Sequence, residues 1–200
     1  MVEQAIPADY MVSERPVAQI DFSAWIPKSF TVSPDGRRVA YAALAGKGGV
    51  VVVDAHKAQP YTGIASLPVF SPDSKRVAYV AREGDQRFVV IDGRQGERYD
   101  GFADGAPVFS PNSARLAYVV KDGDKWLVVV DGAEGARYDG IQPGSLVFGP
   151  DSQRLAYTAQ LKGEWFVVLD GREGRHFDIV ESGSLQFSAD SKRVAYAVQA

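Results

Sequence analysis

Apolar residues along this chain come in short runs, interrupted by turn residues at regular distances. Between positions 68 and 106 the order is a brief run, Pro68-Val-Phe70, a polar corner, Ser71-Pro-Asp-Ser74, and a longer run, Val77-Ala-Tyr-Val-Ala81. A tight Glu83-Gly-Asp85 follows, then the wholly apolar Phe88-Val-Val-Ile91, a turn at Asp92-Gly93, and Arg98-Tyr99-Asp100. β-branched and aromatic residues, which suit a pleated surface, fill the runs. Pro, Asp, Gly and Ser fill the corners, where preset dihedrals, left-handed backbone or side-chain bonds to the backbone are needed. No window keeps an apolar period near 3.6 residues over about ten residues or more, so the pattern predicts four strands and no helix.

The same order returns along the chain. Residues 70–79 recur at 109–118, 148–157 and 187–196, with a looser copy at 32–41. The small residue after the aromatic stands at 33, 71, 110, 149 and 188, in steps of 38, 39, 39 and 39. A fixed period near 40 residues is the mark of a repeat architecture. The third strand of each repeat (50–53, 88–91, 127–130 and 166–169) is almost wholly apolar. A strand apolar on both faces is covered on both faces. Four-stranded sheets packed radially on one another supply that cover, which makes each repeat a β-propeller blade. The hairpin centred on Gly84 sets Arg76 opposite Asp92, and the same register pairs Arg38 with Asp54, Arg115 with Asp131 and Arg154 with Asp170. Opposite charges facing each other across a hairpin contribute roughly 0.2–1 kcal/mol each.

The last repeat stops after its second strand. Met11-Val-Ser-Glu14 aligns without a gap with the third strand at 127–130, and Phe22 with Tyr99 and Tyr138. The predicted fold class is therefore all-β: a single five-bladed β-propeller over 1–200, with four antiparallel strands per blade. Repeats lie near 30–67, 68–106, 107–145, 146–184, and 185–200 plus 10–29, the last blade combining two N-terminal with two C-terminal strands. Closure removes the exposed edges of an open array. The alternative is that the N-terminal strands complete a neighbouring molecule, giving a strand-swapped oligomer in place of a monomer.

The phrase Phe70-Ser-Pro-Asp-Ser-Lys-Arg-Val-Ala-Tyr79 resembles the repeat of TolB-like propellers, bacterial relatives of the WD-repeat propellers. The resemblance covers all the repeats and implies the fold. Members serve as partners of outer-membrane proteins, as gating domains on serine peptidases, and as modules of unknown role. TolB has six blades and a preceding α/β domain, neither of which is read here, so lipoprotein binding does not carry over. The Gly-x-Ser-x-Gly elbow of the peptidases is also missing. Residues 68–106 and 107–145 agree at 22 of 39 positions, a closeness that fits recent amplification or an idealised design.

Net charge is −3, with acids and bases interleaved in every repeat, so no basic stripe marks a nucleic-acid surface. No run of about 18 apolar residues spans a membrane. The opening Met1-Val-Glu-Gln-Ala-Ile-Pro lacks a basic region followed by an apolar one, so no signal peptide is read, and the compartment stays open. There is no cysteine. The innermost strands (29–32, 67–70, 106–109, 145–148 and 184–187) hold no carboxylate, whereas a glycosidase needs an acid and a base or nucleophile flanking the bond. Asp104 and Glu181, in the loops leading into two of those strands, are the nearest. Asp122-Gly-Asp124 lacks the other ligands of a calcium loop, and Gly46-Lys-Gly-Gly49 lacks the serine or threonine and helix of a phosphate loop; both read as hairpin turns. No cofactor or metal is expected. Five tyrosines (41, 79, 118, 157, 196) read as packing between blades. Trp126 and Trp165 share a position where other repeats have Gly49 and Arg87, and can stack on a ligand. The expectation is a non-enzymatic binding or scaffold module. Its protein or small polar ligand would sit at the channel mouth, near Ser66, Asp104, Ser145, Glu181 and Ser184, with Trp126 and Trp165 further out.

Overall fold

The computed structural model describes residues 16–103 and 106–199. Among them there are only strands, turns and irregular connections. The second repeat shows the plan. Val77–Glu83 pairs antiparallel with Gln86–Ile91 from Ala78 to Glu83, and Gln86–Ile91 pairs outward with Arg94–Gln95. The inner strand is split: Gly63–Ile64 pairs with one half of Val77–Glu83 and Val69–Phe70 with the other. A bridge from Arg87 to Tyr99 extends the outer edge. The third and fourth repeats copy this arrangement, and the first forms a four-stranded sheet joined by a bridge from Trp25 to Ala43.

The half-strand Gly63–Ile64 is a correction to the sequence reading, which ran each repeat from the proline before the aromatic and left these residues in a loop. Two residues carry too little pattern to announce a strand. They hold their place because a serine bridges the break between the halves. Val80 N–H donates to Ser66 Oγ at 2.9 Å, Ala42 to Ser29 at 3.0 Å, Thr158 to Ser145 at 3.1 Å and Ala197 to Ser184 at 3.1 Å.

Hairpin turns follow from left-handed positions. Gly84, Gly123 and Gly163 lie at φ of 61°, 60° and 89° in the turns between the two long strands. The Gly46-Lys-Gly-Gly49 and Asp122-Gly-Asp124 segments are such hairpins, closing Ala45 on Gly48 and Asp122 on Lys125.

Apolar clusters lie between consecutive sheets. One joins Ala78, Val80, Val89 and Tyr99 of the second repeat to Tyr118, Val120 and Leu127 of the third. The next joins Ala117 and Val128 to Tyr138, Tyr157 and Phe166. Full burial of each such side chain stabilises by roughly 1.5–3 kcal/mol, so these layers are the core. Tyr41, Tyr79, Tyr118 and Tyr157 are all buried in them.

Polar groups stitch the same seams. Arg38, Arg76, Arg115 and Arg154 meet Asp54, Asp92, Asp131 and Asp170 at 2.7, 3.0, 2.9 and 2.9 Å, the pairs read from the hairpin register. Each aspartate also accepts the N–H of the residue after its arginine. Each guanidinium then crosses to the next repeat. Arg38 donates to the Ser74 and Lys75 carbonyls and lies 5.3 Å from the Phe70 ring centre. Arg154 donates to the Ser191 carbonyl and covers Phe187. In return, Ser74, Ser113, Ser152 and Ser191 accept an N–H from the preceding repeat's corner, at Asp35, Asp73, Asn112 and Asp151.

The last repeat differs. Val194–Ala195 pairs with Gln186–Phe187, and Val198–Gln199 with Ile179–Val180, in two-stranded sheets. Among the described residues nothing pairs with the other edge. The predicted third strand at 11–14 lies outside the described residues. Phe22 is 72% exposed, against 4% for Tyr99 and 1% for Tyr138, and it sits in a turn held by Asp21, whose Oδ1 accepts from Ser23.

Candidate functional site

Each described residue of the expected site belongs to a seam between repeats. Ser66, Ser145 and Ser184 stand where the inner strand breaks, and their hydroxyls accept the N–H bonds described above. Ser66 also donates to Leu67 O at 3.0 Å and Ser184 to Glu181 O at 2.7 Å. These hydroxyls are committed to the fold. Glu181 is exposed, its backbone tied to Ala197 by a 2.9 Å bond. Asp104 lies outside the described residues.

The tryptophans are half-buried. Trp126 pairs through its backbone with Tyr138, lies under the Lys121 ammonium at 6.0 Å, and packs on the cluster of the third and fourth repeats. Trp165 pairs with Phe177 and packs beside Val180 and Leu185. The grouping is therefore by seam: Ser66 at the second–third, Trp126 and Ser145 at the third–fourth, Trp165, Glu181 and Ser184 at the fourth–last. Among the described residues no hydrogen bond or ring contact joins one group to another.

The titratable groups are mostly spoken for. A bond from the Ser71 hydroxyl at 2.6 Å, then one from the Lys75 N–H, hold the Asp73 carboxyl below the usual carboxylate range. Asp35 and Asp190 are lowered in the same way, by Ser33 and Ser188 first. Asn112 accepts the same two bonds from Ser110 and Ala114, which is why an amide serves there in place of an acid. Burial pushes the Tyr118 phenol up to about 12, so it stays protonated near neutrality. His176 stacks on Phe166 with ring centres 4.4 Å apart and meets Glu164 at 3.0 Å. Among the described residues no three His, Cys, Asp or Glu side chains come together as metal ligands.

A cleft of about 560 Å³ opens between the second and third repeats, lined by Ala65, Ser66, Leu67, Arg87, Phe102 and Ala106. Sequence reading reached Ser66 but not the cleft. The available signal was Arg87, which stands where the next two repeats have tryptophan.

No family model matches the chain, and no curated protein matches it. Solved structures do. A eukaryotic initiation factor matches at 16% identity and TM-score 0.51, over 98% of this chain and 52% of that one. The β-propeller domain of the Trilobed protease from Pyrococcus furiosus matches at 13% identity and TM-score 0.50, over 80% of this chain and 59% of that one. The chain is built of β-propeller repeats. TolB from Acinetobacter baumannii is also similar, at 13% identity and TM-score 0.46, over 82% of this chain and 52% of that one. The propeller repeat fold expected from the sequence is the fold shared with the initiation factor and the protease domain. The chain spans a little over half the length of these structures.

Proposed function

We propose that the chain is a non-enzymatic binding or scaffold module, whose ligand is a protein or a small polar molecule. The observation that supports this most is the use made of the recurring polar residues. The serines, aspartates and arginines that recur along the chain bond to backbone or to one another, within a hairpin or across the seams. What remains for recognition is what varies between repeats: Arg87, Trp126, Trp165 and Glu181, together with Asp104. Function follows the site and not the fold, and several propeller relatives are parts of enzymes. A panel of nitrophenyl glycosides and peptide amides tests the reading directly. No turnover above the buffer rate is expected; turnover abolished in the Asp104→Asn, Glu181→Gln double variant would overturn it.

The same reading takes the architecture as one domain of five blades, with residues 11–14 supplying the third strand of the last blade. Native mass spectrometry is expected to give the monomer mass, and multiples of it would mean strand exchange between chains. The agreement of the second and third repeats at 22 of 39 positions supports an alternative, a recently amplified or engineered array without a dedicated ligand.

A further inference from the structure

We propose that the cleft between the second and third repeats binds a small carboxylate carried on an apolar body, with Arg87 as its anchor. The proposal rests on the binding-module reading and names a ligand class for it.

The argument starts from one row of residues across each sheet. In the third repeat the row is Gly101, Lys121 and Trp126; in the fourth it is Gly140, Gln160 and Trp165. In the second it is Gly63, Arg82 and Arg87. Val80 and Val89, directly paired, pack against the third repeat. Side chains alternate along a strand, so Arg82 and Arg87, two residues from each, face the same neighbour. Like charges directly opposite each other across two strands are destabilising. The third repeat places its cation over an indole, and the fourth uses a neutral amide. The second sets two arginines at directly paired positions, the Arg82 guanidinium lying against Gly63 and that of Arg87 reaching Asp100, and among the described residues neither makes an ion pair. A local rule broken at one repeat of several similar ones points to a functional position.

Arg87 is held in place, because one Nη donates to Asp100 O at 2.9 Å. Its remaining donors form a planar fork suited to a carboxylate. The cleft it lines has the volume of a small-molecule site. The rest of the wall is alanine, leucine and phenylalanine, and the Ser66 hydroxyl is already used by Val80 N–H and Leu67 O. Such a wall favours an apolar body behind the charge. Inorganic phosphate, hydrated on every side, would lose water there without replacement.

Calorimetric titration with hexanoate, hexan-1-ol and inorganic phosphate tests this. Hexanoate is expected to bind, with hexanol and phosphate weaker by roughly tenfold or more, the usual loss when a charge-assisted hydrogen bond is missing. Arg87→Ala is expected to lose hexanoate by a similar factor, Arg87→Lys to retain part of the affinity, and Lys192→Gln, at an exposed corner of the last repeat, to leave it unchanged. Both Arg87→Gln and Arg82→Gln are expected to melt no lower than the parent, since each relieves the like-charge pair. If Arg87→Ala does not fold, the Lys and Gln variants carry the comparison. Equal binding of hexanol, equal binding of phosphate, unchanged affinity in the Arg87 variants, or no binding of hexanoate would each overturn the proposal. Failure here, with a ligand found whose affinity depends on Glu181 or the tryptophans, sinks the carboxylate cleft alone; turnover in the glycoside and amide panel sinks the module reading itself.

Discussion

Ala55 sits at φ 69°, where the following repeats place Gly93, Gly132 and Gly171 at 80°, 85° and 77°. A side chain there presses Cβ toward the following carbonyl, at a cost of roughly 1–2 kcal/mol. Glycine gives back part of that gain through its freer unfolded chain, so Ala55→Gly is expected to stabilise by about 0.5–1 kcal/mol, read as a higher urea midpoint. Ser152, 1% exposed, gives the opposite case. Its hydroxyl accepts Asn112 N–H at 2.9 Å while its own φ is 63°. Ser152→Ala is expected to cost about 1–3 kcal/mol, since a buried donor loses its partner; Ser152→Gly should cost less, because it removes the left-handed strain as well. Acid acts on the corners. Asp35, Asp73, Asp151 and Asp190 have carboxyls held below the ordinary value of 3.8, by serine hydroxyls and, at Asp151, first by the Gln153 N–H. A depressed folded value stabilises the native state above the unfolded value and is lost as pH falls through the folded one. The urea midpoint is therefore expected to be flat from neutrality to about pH 5 and to fall steadily below pH 4. A midpoint unchanged at pH 3 would mean these bonds contribute nothing.

At the scale of elements, the long hairpins were legible because their patterns run for six or seven residues with glycine at the turn. The register of Arg76 on Asp92 came from the turn centre alone and holds in all four complete repeats. The half-strands were not legible. Gly63–Ile64 has no alternation to read, and what fixes it is the Ser66 hydroxyl, whose partner is fourteen positions away. The same holds for the predicted binding serines: a serine in a loop reads as available, and only three dimensions show it bound to Val80 or Thr158. Ser145→Ala should thus weaken the fourth sheet. Its expected signature is faster amide exchange at Thr158 with little change at Val168, which pairs with Tyr157 inside the long hairpin. The arginines were half read. Their aspartates were evident, but the carbonyls that Arg38 reaches in the next repeat lie 36 and 37 positions on and its ring, Phe70, 32 on, beyond any hairpin rule.

At the scale of the molecule, the seams are alike except at the ends. The first repeat has Gly36 and Val32 where later ones have the accepting serine and the covered phenylalanine. A ring closing the last repeat on the first would make that seam the weakest, without its hydroxyl and without a ring for Arg193. If the ring is closed as proposed, Val32→Phe with Gly36→Ser is expected to raise the melting temperature by about 2–4 °C per kcal/mol regained; an unchanged melting point would point to an open array. Cluster formation between neighbours explains why the repeats were easy to find and their closure was not. Each repeat needs only the next, so sequence similarity reports the interior joints and says little about the ends.

Those joints also run one way: guanidinium forward, hydroxyl back. A row of tongue-and-groove boards has the same polarity. Any interior board can be copied or removed, in steps of 39 residues, and every remaining joint still finds its match. Length in such a chain is free to change by duplication while local chemistry stays fixed, and selection need act only on the two terminal boards.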